Sequence, residues 1–228
     1  MRDPERALAE FDLITPAGRR ATYRDYLWND HAYLRLRFSN AHWVSDELVR
    51  TNQPWPFQLA EWKAKGIKTI INLRGGFDAS FYALERDACA ALGLNLVDFT
   101  ITSREAPSRA RVHGAKALFE TLEYPALMHC KSGADRAGIM SVLYLHFRKG
   151  VPIREALEQL SLKYLHVKAG KTGVLDYVFE RYLDQGEPKG ESFIEWVDSA
   201  AYDPDAIKAD FRSQMWGRLL TEGLLKRE

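Results

Sequence analysis

Cysteine is scarce: only Cys89 and Cys130 occur in 228 residues. Two are too few for a disulfide framework. The chain also lacks any apolar run approaching the roughly 20 residues that a membrane-spanning helix requires. Its start, MRDPERALAEFDL, has none of the apolar core of a secretory leader. Neither sign of charge predominates, since 32 Lys and Arg against 31 Asp and Glu leave a formal net charge of +1. No global field therefore recruits nucleic acid or an acidic membrane. Zinc-type spacing and glycine-rich nucleotide loops are absent as well, so neither a metal nor a cofactor is expected. These absences lead to the expectation of a reducing, cytoplasmic setting, where a cysteine thiolate stays usable.

What is present suits a folded α/β protein. Hydrophobic residues make up 46% of the chain, enough for a sizeable core. WPFQLAEWKAKG carries Leu59 and Trp62 at helical spacing and stops at Gly66. IKTIINL (67–73) is short, β-branched and apolar, as a buried strand is, and ends at the turn RGG. Phe81, Leu84, Ala88 and Leu92 form a helical stripe closed by Gly93. NLVDFTI (95–101) reads as the next strand, and Ser108 caps a helix carrying Val112, Ala115, Phe119 and Leu122. ALMHC (126–130) reads as a strand, followed by a helix through GIMSVLYLHFRKG with Gly150 past its end. Pro152 opens a further helix, and GVLDYVFERYL another. The alternation implies a central, mostly parallel sheet flanked by helices. Functional loops then belong at the carboxyl ends of its strands, where Cys130 lies.

Three segments are expected. Residues 1–39 form an extension rich in aromatics and arginine, including Tyr23, Tyr26, Trp28, Tyr33 and Phe38. It is expected to pack on the domain surface, with peripheral membrane contact as the alternative. Residues 40–185 form the α/β domain. Residues 186–228 form a helical extension with Ile207, Phe211, Met215 and Leu219 on one side.

The stretch HCKSGADRAG (129–138) concentrates the chemistry. A seven-residue loop from Cys130 to Arg136 running into a helix points successive backbone N–H groups inward, as an anion cradle does. Lys131, Ser132, Gly133, Ala134, Asp135 and Arg136 line that cradle. Gly133 permits the close turn, and the planar fork of Arg136 fits two phosphate oxygens. A positive field of this kind favours a thiolate, so Cys130 is aimed at the phosphorus of a bound phosphate. The chemistry that fits is covalent phosphoryl transfer.

HCKSGADRAG resembles the H-C-x(5)-R-[ST]-G signature of the protein tyrosine and dual-specificity phosphatase superfamily, in its bacterial type. VRTNQPWPFQLAEWKAKGIKTIINLRG resembles the amino-terminal part of the compact dual-specificity domain. The resemblance implies a cysteine-dependent phosphatase over 40–185, with Cys130 as nucleophile and Arg136 as phosphate binder. His129 is implied to orient the loop through hydrogen bonds. The implied substrate is a phosphoprotein or a phosphorylated lipid or glycolipid. Lys131 resembles the basic loops of lipid-phosphate members, with Arg104, Arg109 and Arg111 as a basic rim, and each of these substrates is compatible.

The chain departs from the signature twice. Ala137 stands where the family carries a hydroxyl that helps the thiolate leave. The general acid also has no single match: Asp135 in the cradle and Glu105 on the loop before residue 109 compete, with Asp98 behind them. A phosphate-binding pseudophosphatase is the alternative function. Arsenate reduction and sulfur transfer fit the cysteine pattern less well. Outside the signature, Cys89 reads as packing more than as a resolving thiol, and His166 as a surface or capping histidine.

Overall fold

The computed structural model describes residues 11–225. Residues 1–10 and 226–228, the ends of the two expected extensions, lie outside the described residues, as does the side chain of Leu219. In chain order the elements are α1 (Pro16–Asn29), β1 (His42–Trp43), β2 (Leu48–Asn52), α2 (Pro56–Ala64), β3 (Thr69–Asn72), α3 (Ser80–Leu92) and β4 (Asn95–Asp98). There follow α4 (Arg109–Thr121), β5 (Ala126–Cys130), α5 (Asp135–Lys149), α6 (Ile153–Ala156), α7 (Val174–Gln185), α8 (Phe193–Asp198) and α9 (Pro204–Leu225). The chain divides into two compact units, residues 1–100 with 122–137 and residues 101–121 with 138–228.

The first unit holds a five-stranded sheet of order β1-β2-β5-β3-β4. Its pairs are parallel except β1 with β2, so the sheet is mostly parallel as the sequence implied. β5 lies in the middle, with Asn52 of β2 opposite Cys130 and Asn72 of β3 opposite His129. Val49, Ile70 and Leu127 from three strands pack with Leu59 of α2 and with Ala88 and Cys89 of α3. Each fully buried aliphatic side chain of this kind contributes about 1.5–3 kcal/mol relative to exposure. Cys89 thus serves as packing.

Three strands, the two-residue β1 among them, differ from the sequence reading. β4 ends at Asp98 and does not run to residue 101, since it is an edge strand with both ends exposed. β2 was not anticipated, because Arg50, Thr51 and Asn52 interrupt its apolar pattern, yet all five of its residues are buried.

The segment before β1 begins with a capped helix. Thr15 Oγ1 accepts the Gly18 N–H at 3.1 Å, and Pro16 supplies a preset first turn. Tyr26 and Ala32 pack into a buried cluster with Trp55 and Leu84. The indole of Trp55 donates to the Ala32 carbonyl at 3.1 Å.

In the second unit, helix α8 starts with a reciprocal cap: Glu195 N–H donates to Ser192 Oγ, and Ser192 N–H donates to Glu195 Oε2. Phe193 and Trp196 of this helix anchor an aromatic core with Phe179, Tyr182 and Tyr202. Arg109 donates to the carbonyls of Val197, Ser199 and Tyr202 at 2.5–2.7 Å. It therefore holds structure together and does not belong to a free basic rim. His166 is likewise buried, with Nε2 2.7 Å from Asp176 Oδ2, so it is neither a surface nor a capping residue. Among the described residues no helix is long and apolar enough to cross a membrane.

Candidate active site

Cys130 ends the central strand, and α5 begins five residues later at Asp135. The connecting loop is fixed from outside by its carbonyls. The Lys131 carbonyl accepts from the Gln53 N–H at 3.4 Å, and the Ser132 carbonyl from Asn40 Nδ2 at 3.1 Å. The Gly133 and Ala134 carbonyls both accept from Arg50 Nη2 at 2.8 Å. In a trans peptide the C=O of one residue and the N–H of the next point in opposite directions. Tying four successive carbonyls outward therefore turns the N–H groups of residues 132–135 to the inner side, an arrangement suited to an anion. Ala134 N–H also makes a long 3.4 Å contact to Ser132 Oγ.

Gly133 is required here on two grounds. Its φ of 74° lies in the left-handed region, and a Cβ would come within 2.7 Å of the Asn52 N and Thr51 C backbone atoms. The loop leans on β2 at a distance that no side chain allows. Cys130 sits at its base, only 2% exposed.

Arg50 is fully buried, and sequence reasoning missed it. The available signal was a cation in the middle of an otherwise strand-like stretch. Arg50→Met keeps most of the bulk and removes the donors, stranding two carbonyls at about 1–3 kcal/mol each. The expected result is a lower urea midpoint together with weakened phosphate binding. Unchanged phosphate affinity would mean that the tethers do not shape the cradle.

Beneath and beside the loop runs a buried polar network. His129 Nε2 lies 2.6 Å from Glu85 Oε1, a close contact not aligned as a hydrogen bond, and Gln53 Nε2 donates to the same oxygen at 2.9 Å. His129 thus faces Glu85, and its Nδ1 has no hydrogen-bond partner among the described residues. The implied loop-orienting hydrogen bonds of this side chain are not made. That task falls to Arg50, Asn40 and Gln53.

Asp30, just after α1, reaches the loop directly. Its carboxylate takes both Arg74 Nη atoms at 2.7 and 3.1 Å, pairs with Arg35, and lies 3.2 Å from Lys131 Nζ. Burial pushes its carboxyl up, but the Arg74 hydrogen bonds and the charges of Arg74, Arg35 and Lys131 outweigh that and hold it below the usual carboxylate range. Lys131 remains half-exposed, and the single Asp30 carboxylate faces three cations. Arg74 continues the chain of contacts, since its carbonyl accepts from Arg136 Nη1 at 3.4 Å. Asp30, Arg74 and Glu85 gave no local sequence signal, because each acts through a partner far away in sequence.

The acid candidates separate. Asp98 accepts from Asn72 Nδ2 at 2.9 Å and from the Tyr82 hydroxyl at 2.5 Å. Glu105 is 2.5 Å from Lys208 Nζ, whose hydrogen bond and charge hold its carboxyl below the usual range. Asp135 occupies the first turn of α5, within the cradle segment itself. Ala137, two residues further on, is fully buried. Burial, reinforced by the charges of Glu85 and Asp98, pushes the Cys89 thiol up, consistent with a packed thiol and not a reactive one. Among the described residues no group of His, Cys, Asp and Glu is arranged to hold a metal ion.

Comparison with known proteins adds a family. The one described as "DSP-PTPase phosphatase fused to NAD+ kinase" matches residues 48–173. The crystal structure of Tk-PTP in its active form is similar with a TM-score of 0.51 at 21% identity, over 62% of this chain and 96% of that one. TpbA of P. aeruginosa is similar with a TM-score of 0.51 at 16% identity, over 71% of this chain and 92% of that one. Both are likenesses of fold. No curated protein matches the sequence.

Proposed function

The chain belongs to the family of DSP-PTPase phosphatases described as fused to NAD+ kinase, and on that premise we propose a cysteine-dependent phosphomonoesterase acting through a cysteinyl-phosphate on Cys130. The observation that carries this reading is the outward tethering of four loop carbonyls, which leaves an inward row of N–H groups above a buried sulfur. The phosphate dianion binds to that row and to the fork of Arg136. The Cys130 thiolate forms a bond to phosphorus as the bond to the ester oxygen breaks, and Asp135 protonates the departing oxygen. Water, deprotonated by the same Asp135, then attacks phosphorus and releases the thiolate and inorganic phosphate.

Asp135 is the preferred acid because it lies in the first turn of α5, within the same short segment that carries Cys130 and Arg136. The substrate reading stays open between the kinds the sequence named. Lys131 is half-exposed and shares Asp30 with Arg35 and Arg74, so its charge remains available to a phosphoprotein or to a phosphorylated lipid.

The engaged state of Asp98 and Glu105, together with Ala137, supports a second reading, a pseudophosphatase that binds a phosphorylated partner without turnover. One assay separates the two. The enzyme should hydrolyse an aryl phosphate in the presence of a chelator, with competitive inhibition by vanadate. Vanadate binding without turnover would select the pseudophosphatase, and absence of both would defeat either reading.

A further inference from the structure

The second unit contains a cavity of about 380 Å³ lined by Arg104, Lys171, Val174, Lys208, Phe211, Arg212 and Met215. Three segments build it. Arg104 comes from the loop before α4. Lys171 lies in the turn that leads into α7. Lys208 and Arg212 are one turn apart on α9 and so share a face. The turn at Lys171 is held tightly, because a Cβ on Gly173 would meet the Lys168 carbonyl oxygen at 1.9 Å and the Phe211 ring at 3.1 Å. The ring of Phe211 also packs on Tyr177 of α7, with centroids 5.8 Å apart.

Charge in this cavity is one-sided. One acid, Glu105, faces two of its four cations: it pairs with Lys208, and the Arg212 charge also acts on its carboxyl. The nearby Asp210 is occupied by the Tyr177 hydroxyl and by Arg181. Four cations around the cavity thus outnumber the one acid set against them. Convergent charge of one sign around a concavity raises the local potential and draws anions to it. The remaining wall is apolar, made by buried Val174 with Phe211 and Met215. Convergent charge on one side and apolar surface on the other is how small-ligand pockets fix orientation.

We propose that this cavity is a second anion site, which binds a small organic anion carrying at least two negative charges and an apolar or aromatic body. Binding there does not depend on the Cys130 loop, so the proposal stands apart from the catalytic reading. The charged end lies among Arg104, Lys171 and Arg212, and the body against Phe211 and Met215.

The test uses the full chain with Arg136→Lys, which weakens anion binding at the Cys130 loop. The probe is naphthalene-1,5-disulfonate, an aromatic dianion with no phosphoester to hydrolyse, titrated by calorimetry. One probe should bind per chain, and the affinity should fall steeply at about 1 M salt, where the Debye length is about 3 Å. Adding Lys171→Ala and Arg212→Ala, both surface changes that leave the core intact, should weaken binding by about tenfold or more, the scale of one lost charge-assisted contact. Inorganic pyrophosphate, which has the charge without the body, should bind more weakly than the disulfonate. Unchanged affinity in the Lys171→Ala/Arg212→Ala chain would overturn the proposal. So would loss of all binding on Arg136→Lys alone, since the Cys130 loop would then be the sole anion site. Neither result bears on vanadate-sensitive hydrolysis, which tests the catalytic reading separately.

Discussion

Cys130→Ser is expected to reduce phosphomonoester hydrolysis to the uncatalysed background while leaving phosphate binding close to native. The substitution exchanges sulfur for oxygen at a residue that is 2% exposed, with almost no change in shape. A serine hydroxyl is not ionised near neutral pH, so the cradle has no nucleophile to aim. The cradle itself persists, because its geometry rests on Arg50, Asn40 and Gln53, and not on the thiol. Arg136→Lys should behave differently and lose both turnover and phosphate affinity, since a point charge does not replace a planar, bidentate donor. Single-turnover kinetics and phosphate titration of the two variants separate these outcomes. Activity in Cys130→Ser within about tenfold of native, a barrier change of only about 1.4 kcal/mol, would exclude the cysteinyl-phosphate mechanism.

The contrast between those two residues and their supports explains what the sequence revealed. Cys130 and Arg136 lie in one uninterrupted stretch at the end of an apolar strand, so composition and spacing expose them together. β3, β5 and α3 were equally legible, since each follows a clean apolar period and stops at a turn or glycine. β2 was not, and the reason is functional. Arg50 holds the Gly133 and Ala134 carbonyls from within that strand, and a buried cation there breaks the very pattern that identifies a strand. β1 is two residues long and leaves no period to detect.

Side chains that act at a distance were illegible for a related reason. Asp30 meets Lys131, and Glu85 meets His129, only after the chain has folded. Glu105 shows the same limit from the other side. It read as a candidate acid on a suitable loop, and its partner Lys208 lies 103 residues further along. Arg109 similarly read as part of a basic rim before the carbonyls of Val197, Ser199 and Tyr202 claimed it. Local sequence displays the proposed reacting groups well, and the groups that neutralise or orient them poorly.

Asp135→Asn is the other large effect, and its size should depend on the leaving group. An alkyl or tyrosyl oxygen departs only when protonated, whereas a nitrophenolate is stable as an anion. Removing the acid should therefore cost about 10²–10⁴-fold in kcat on phosphoserine or phosphotyrosine substrates and far less on an activated aryl phosphate. The basic limb of the pH–rate profile should flatten as well, because that limb reports loss of the protonated acid. Asn keeps the shape and the helix position, so folding and phosphate affinity should stay near native. Glu105→Gln should show neither signature, because Lys208 already holds that carboxyl ionised. Its expected consequence is limited to the Lys208 ion pair, an exposed interaction that adds little to stability. A leaving-group-dependent loss in Glu105→Gln and none in Asp135→Asn would reverse the assignment and require the Lys208 pair to open during turnover. Loss in neither would direct the search to Asp98. That carboxylate would first have to give up its bonds to Asn72 and Tyr82 before it could carry a proton to the substrate.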